Sequence, residues 1–441
     1  MSKRENAQNP ITPFAITDYR DIRRMFGIKE KNRRGHMYIL GKTGTGKTTL
    51  MENMIISDMK AGNGVAVIDP HGDLAEDLLD FIPQSRIEDT IYFNPSDLEY
   101  PMALNPLESV EPDQQHLVAS GLMSVLRKLW PDFWGPRMEH ILRNAILALL
   151  EYPKSTLLDL PWLLVDKEFR KRILEQVTNP QVKQFWLTEF DRYSPWFRSE
   201  TLVPIQNKVG QFLATPLMRN IMGQAKSAID FRKVMDEGKI LIVNLAKGRI
   251  GEDNCALLGA MIATRIELAA LSRGDVPEDK RKSFYFYVDE IHTLLTQSFA
   301  DILSEARKYG LSLILTHQYL EQLDERMRAA ILGNVGTLIT FRIGSRDAYL
   351  LRDEFSPPFY MSDLINLPNY HIYLKLMIDG KTSRPFSAIT LPPPEIKTSS
   401  YAARVIEASR RKFARPREEV EKMMGAGVWE RKPPRRQMKM L

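Results

Sequence analysis

Short apolar runs separated by turn residues alternate along this chain with longer stretches of helical spacing. From His36 to Leu40 the run HMYIL predicts a buried strand. A glycine-rich turn follows, and helical spacing then extends from about Lys47 to Lys60. Asn63-Gly64 marks a turn, and Val65–Ile68 predicts the next strand. Strand, helix and strand within about 35 residues make a βαβ unit, which requires a parallel sheet. Ile91–Phe93 predicts a third strand, ended by Asn94-Pro95.

The pattern changes between residues 107 and 225. Helical periodicity dominates there, as in Leu117–Leu129 and Arg137–Leu150, and strand signals are sparse. Trp130, Trp134, Trp162, Trp186 and Trp196 all lie in this stretch. Such aromatics can stack on bases, but they more often form the core of a helical bundle. The β pattern returns at Ile240–Leu245, Phe284–Val288, Leu311–Leu315 and Thr337–Phe341, with helices expected around 253–272 and 298–309. His371–Ile378 and Ser383–Leu391 flank Asp379-Gly380, a hairpin signal. The expected fold is α/β: a domain with a mostly parallel central sheet over residues 20–106 and 226–395. An all-alpha domain is inserted at 107–225. Residues 1–19 are expected as a flexible start and 396–441 as a basic helical or disordered tail.

Charge refines this division. The net charge is +6. Residues 410–441 carry 11 Lys and Arg against four acids, so the rest of the chain sums to −1. The high pI of about 9.1 is therefore weak support for nucleic-acid binding by the body. Cys255 is the only cysteine, which excludes an intramolecular disulfide and a cysteine-based zinc site. No run approaches the ~18 consecutive apolar residues of a membrane span. The apolar stretch at 256–270 is broken by Arg265 and Glu267. With no signal-peptide core at the start, the expected location is cytoplasmic, with the inner face of the membrane as a second option through the basic tail.

Two motifs carry the candidate chemistry. Gly41-Lys42-Thr43-Gly44-Thr45-Gly46-Lys47-Thr48 matches GxxxxGK[ST], after a predicted strand and at a helix start. Glycines let backbone N–H groups turn toward phosphates, and the helix N-terminus adds the positive end of its dipole. Lys47 is expected to reach the terminal phosphates of ATP, Thr48 to ligate Mg²⁺, and Gly41, Thr43, Gly44, Thr45, Gly46 and Thr49 to complete the cradle. The second motif is the apolar strand Phe284–Val288 ending in Asp289-Glu290. Asp289 would serve the Mg²⁺ shell, and Glu290 would orient or deprotonate the attacking water. Gln318 follows the strand Leu311–Leu315 and could sense the terminal phosphate. Arg307, in SEARKYG, is a candidate arginine finger, with Arg342 and Arg346 as rivals. Asp69 either joins the site or caps the next helix. The seven histidines show no metal-ligand spacing, and His71 with Asp73 fits a turn.

Gly35–Thr49, then Val67–Leu74 (VIDPHGDL), Phe133–Met138 (FWGPRM), Ala306–Gly310 and Thr316-His317-Gln318 occur in an order that resembles the TraG/TraD-type coupling ATPases of conjugation and type IV secretion, within the HerA–FtsK superfamily. The resemblance covers roughly residues 20–395. It implies a RecA-like motor that assembles as a ring, usually a hexamer, with DNA in the channel and ATP between subunits. Lys47 and Thr48 would then bind phosphate and Mg²⁺, and Asp289 and Glu290 would serve the metal and the water. Gln318 would be the sensor and Arg307 the finger reaching the neighbouring subunit. Relaxosome and secretion-channel proteins would be partners. One departure stands out. Many such proteins begin with transmembrane helices, whereas this chain starts about 35 residues before its phosphate loop and shows none. Two other readings remain open: a secretion- or pilus-assembly ATPase that does not act on DNA, and a HerA-like translocase that processes DNA ends.

Overall fold

The apolar runs become the strands of one eleven-stranded sheet in a computed structural model, which describes residues 10–18, 22–108, 112–294, 297–395 and 400–431. In chain order the strands are β1 (Ile11–Thr17), β2 (Met25–Lys29), β3 (Met37–Leu40), β4 (Gly64–Asp69), β5 (Thr90–Phe93), β6 (Ile240–Asn244), β7 (Phe284–Val288), β8 (Leu311–His317), β9 (Thr337–Thr340) and β10 (His371–Lys375). Two short strands, β11 (Met377–Ile378) and β12 (Lys381–Thr382), pair with each other at the hairpin tip, and β13 (Phe386–Thr390) returns to the sheet. The sheet order is β2-β1-β13-β10-β9-β3-β8-β7-β4-β6-β5.

From β9 to β5 every pair is parallel. β3, β4, β6, β7 and β8 are buried at every position, as the continuous apolar runs require of strands with helices on both faces. The remaining edge, β10, β13, β1 and β2, is antiparallel. The parallel registers set β3, β8, β7 and β4 level: Leu40 lies beside His317, and Val288 beside both Leu315 and Ile68. Their carboxyl ends therefore open in a row, where parallel sheets bind ligands.

The chain divides into two units: Met1–Asn94 with Phe231–Ser409, and Pro95–Asp230 with Arg410–Leu441. The first holds the sheet. Its helix Lys47–Lys60 buries Leu50, Met51, Met54, Ile55 and Met59 on the sheet's core. At the other end of that helix Asp58 is gripped by Arg33, with Nη1 and Nη2 at 2.6 and 2.8 Å, and by the Tyr287 hydroxyl at 2.5 Å. This fully buried pair ties the phosphate-loop helix to β7. The segment Glu252–Asp275 has the length and mean hydropathy (1.5) of a membrane span, but 72% of its apolar window is buried inside the protein. A helix apolar on all sides in a core meets the same compositional test.

The second unit is helical, with no strand among its described residues. Its core gathers Trp186, Phe185 and Phe190, with ring centroids 4.6 Å apart for Trp186–Phe190, and Arg170 lies 5.0 Å over Phe190. Trp130 and Trp186 are buried, whereas Trp196 stays 72% exposed.

One stretch differs from expectation. Residues 1–19 were expected to be flexible, yet Ile11–Thr17 is a strand paired on both sides, with Phe14 and Ala15 fully buried. Pro13, which reads as a strand breaker, sits at the register shift between Pro13 and Ala15, a bulge position of the kind where strands accept proline. The C-terminal segment contains helices Ala402–Phe413 and Arg417–Arg431. Val405 and Ala408 of the first join the sheet core, and Val420 of the second is buried. Residues 432–441 of the basic tail lie outside the described residues.

Candidate functional site

The loop between β3 and helix Lys47–Lys60 is held by its own side chains. The Thr45 hydroxyl donates to the Lys42 carbonyl at 2.7 Å, and the Lys47 ammonium donates to the carbonyls of Gly41 and Lys42 at 2.6 and 3.1 Å. Gly44 and Gly46 take φ of +74° and +114°, a region open to glycine without strain. Lys47 is buried, and burial pushes its pKa down against the pull of Glu290 and Asp289. A desolvated cation bonded only to carbonyls gains by turning to anionic oxygens.

One strand away, β8 delivers Gln318, and β7 beside it delivers Asp289 and Glu290. Asp289 continues the ladder, its N–H donating to the Ile68 carbonyl at 3.1 Å. Its Oδ1 accepts from the Thr316 hydroxyl and from the Glu290 N–H at 3.0 Å, and the residue lines the cleft. Glu290 takes φ +47°, ψ +55°, a left-handed conformation that persists only where the surroundings hold it. The Gln318 amide donates to Glu290 Oε1, while Oε2 is buried without a hydrogen-bond partner and lies 3.5 Å from His292 Nδ1. Burial, reinforced by Asp289, raises the Glu290 pKa; the Gln318 bond, Lys47 and His71 oppose it. A carboxylate with raised proton affinity and one unbonded oxygen can act as a general base. Behind it His317 bonds Tyr38 at 3.0 Å and stacks on His292 at 5.1 Å. Burial pushes the His317 pKa down to about 3, so that ring is neutral.

These side chains share a cleft of about 360 Å³. Thr43, Gly44, Gly46, Lys47, Thr48 and Thr49 line it from the loop, and Asp289, Glu290 and Gln318 from the neighbouring strands. Gly41 and Thr45 lie behind the surface, both buried; a Cβ on Gly41 would meet Phe341 at 2.6 Å. Asp69 also lines the cleft, but its oxygens accept from the N–H groups of His71 and Ala75 at 2.8 and 2.9 Å, so it shapes the turn and caps helix Asp73–Leu79. Among the described residues no group of three or more His, Cys, Asp or Glu could hold a metal alone. Thr48 and Asp289 suit Mg²⁺ as it is usually held, by one or two protein oxygens plus water and substrate phosphates. The inward glycine loop, the desolvated Lys47 and the orphaned Glu290 oxygen together fit a nucleotide triphosphate with that ion.

Arg307 is not brought to this cleft. It is exposed on the short turn Ala306–Tyr309 that precedes β8, at the opposite pole of the sheet. Arg342 ties down the segment leading to Tyr370, donating to the Leu367 carbonyl at 3.2 Å and to Asn369 Oδ1 at 2.9 Å, and Arg346 pairs with Glu321. Sequence reasoning missed His292 and Tyr370, and it quoted Thr316 within a motif without giving it a role. Thr316 leaves a faint signal as a hydroxyl at the end of an apolar strand. Tyr370 leaves none, because the chain returns to the loop after more than 300 residues.

The strand order around β3 and the phosphate loop after it define a RecA-like P-loop protein. The chain belongs to the type IV secretion-system coupling protein DNA-binding domain family, whose model matches residues 25–354. Among solved structures it is similar to the plasmid coupling protein TrwB in complex with the GTP analogue GDPNP. The TM-score is 0.60 at 17% identity, covering 85% of this chain and 89% of that one. TrwB in complex with ADP and Mg²⁺ gives a TM-score of 0.60 at 16% identity, covering 83% and 87%. VirB4 of Thermoanaerobacter pseudethanolicus gives 0.55 at 16% identity, covering 90% and 98%. No curated protein matches the chain.

Proposed function

We propose that this chain is an ATP-hydrolysing ring motor that binds and translocates DNA as a coupling protein for conjugative transfer, working at the cytoplasmic face of a secretion channel. The observation that carries the chemistry is the convergence of Lys47, Thr48, Asp289, Glu290 and Gln318 on one cleft from the ends of three neighbouring strands. Mg²⁺, when bound, supplies charge neutralisation across the phosphates. Lys47 and the loop N–H groups orient the terminal phosphate, and Thr48 and Asp289 hold the ion. Glu290 Oε2 aligns the attacking water and takes its proton. Gln318 keeps Glu290 turned to that task and senses the phosphate. The nucleotide and Mg²⁺ complexes of TrwB support the choice of cofactors.

The ring is supported by distance. β8 runs seven residues from the Arg307 pole to the Gln318 pole, which is roughly 20 Å at strand rise. Arg307 cannot reach its own cleft across that span, so its role as a finger requires a neighbouring subunit. The DNA assignment rests on the family.

The test is steady-state ATP hydrolysis with and without single- and double-stranded DNA at several salt concentrations, with Lys47→Ala as control. Stimulation that fades with salt is expected, because contacts to phosphate backbones release counterions. Hydrolysis indifferent to both DNA forms would turn the assignment to a secretion-assembly ATPase.

A further inference from the structure

Tyr370 is a constituent of the cleft that no motif announced. It takes φ +67°, an unusual backbone state for a tyrosine. Both sides of the molecule around it hold it there. Its N–H donates to the Thr45 carbonyl of the phosphate loop at 2.9 Å, and its own carbonyl accepts from the N–H and hydroxyl of Thr390 on β13 at 2.9 and 3.2 Å. Arg342 fixes the approach by bonding Leu367 and Asn369. One edge of the ring touches the loop: a Cβ on Gly46 would stand 2.8 Å from Tyr370 Cδ1 and 3.3 Å from Cε1. Even so the residue remains 43% exposed and lines the cleft.

A strained, bonded backbone that presents a half-exposed ring needs a reason beyond packing. Two rings line the cleft: His71 sits on the Asp69 turn within electrostatic reach of Glu290, on the side of the metal and the water, and Tyr370 is the ring that lies against the phosphate loop. We propose that the face of the Tyr370 ring stacks the base of the bound nucleotide, and that the site grips the base by stacking without reading its edges. Stacking is tolerant of base identity because every base has a π-face. ATP and GTP should then bind with similar affinity. This inference rests on the nucleotide reading above.

The experiment uses the full chain as wild type, Tyr370→Ala, Tyr370→Phe and Lys47→Ala. Calorimetry with Mg²⁺ compares ATP, GTP and inorganic triphosphate, and steady-state kinetics give KM and kcat for ATP. Tyr370→Ala should weaken ATP and GTP roughly tenfold, the scale of one base–aromatic stack. It should leave inorganic triphosphate unchanged and raise KM with little change in kcat, and Tyr370→Phe should restore wild-type values. Equal loss of inorganic triphosphate would make Tyr370 a prop for the loop and overturn the proposal, as would unchanged ATP binding. Strong wild-type preference for ATP over GTP would overturn stacking without edge reading. If Lys47→Ala binds ATP and inorganic triphosphate as wild type does, the nucleotide reading falls and this inference with it.

Discussion

Glu290 shows what the site demands of a single residue. It is buried, left-handed in its backbone, next to Asp289, and bonded at only one oxygen. Its pKa is raised, so the folded protein favours the protonated form more than the unfolded chain does. Stability is therefore lost as pH rises from the unfolded value through the folded one. Glu290→Gln removes that loss, and its melting temperature should exceed wild type at pH 7, the gap closing below about pH 4. A gap independent of pH would refute this account of Glu290. The same variant should keep nucleotide binding and lose about 10²–10⁴ in turnover. In the wild type, turnover should fall on acidification at a pH above the usual carboxylate range, since the base must be ionised. Lys47→Ala should abolish turnover while leaving the melting temperature close to wild type; unchanged hydrolysis would end the phosphate-loop assignment.

Among the elements, β7 and helix Lys47–Lys60 must stay in register for the loop and Asp289 to face each other. The buried Arg33–Asp58 pair with Tyr287 sets that register, and Arg33 also lies 3.6 Å over the Tyr285 ring. Asp58→Ala leaves the guanidinium buried and unpaired, which should cost about 3–5 kcal/mol in denaturant unfolding. The double variant Arg33→Met, Asp58→Leu should recover most of that, because an apolar pair removes the stranded charge. A double variant as unstable as the single one would mean that the pair does more than neutralise itself. The strands that build this register were legible in the sequence because their apolar runs are continuous. β1 was not, since Pro13 in isolation resembles a breaker and its bulge exists only against β2. Neither was the Arg33 pair, whose partners lie 25 and 254 residues away.

The poles of the sheet carry the argument for the whole molecule. Arg307 and the cleft occupy opposite ends of β8, so hydrolysis by Arg307 in trans has a direct test. Arg307→Ala should bind nucleotide without turnover, and mixing it with Glu290→Gln subunits should restore part of the activity. Mixed subunits that exchange and recover nothing would transfer the finger to another residue. The helical unit is a bundle around Trp186 and Phe190, with Trp130, Phe169, Phe185 and Phe212 also buried, while Phe133, Trp162 and Trp196 stay exposed.

By itself the sequence determined the phosphate loop, the acidic strand end and the parallel α/β class. Each is encoded locally: glycines that free the backbone, a helix start, and apolar runs too long to expose. Only the tertiary structure decided that Gln318 bonds Glu290, that Arg307 faces away, and that Tyr370 closes the loop. Those facts depend on which strands lie side by side. Strand order is set by packing a whole sheet between its helices, a sum over distant residues that no local spacing records.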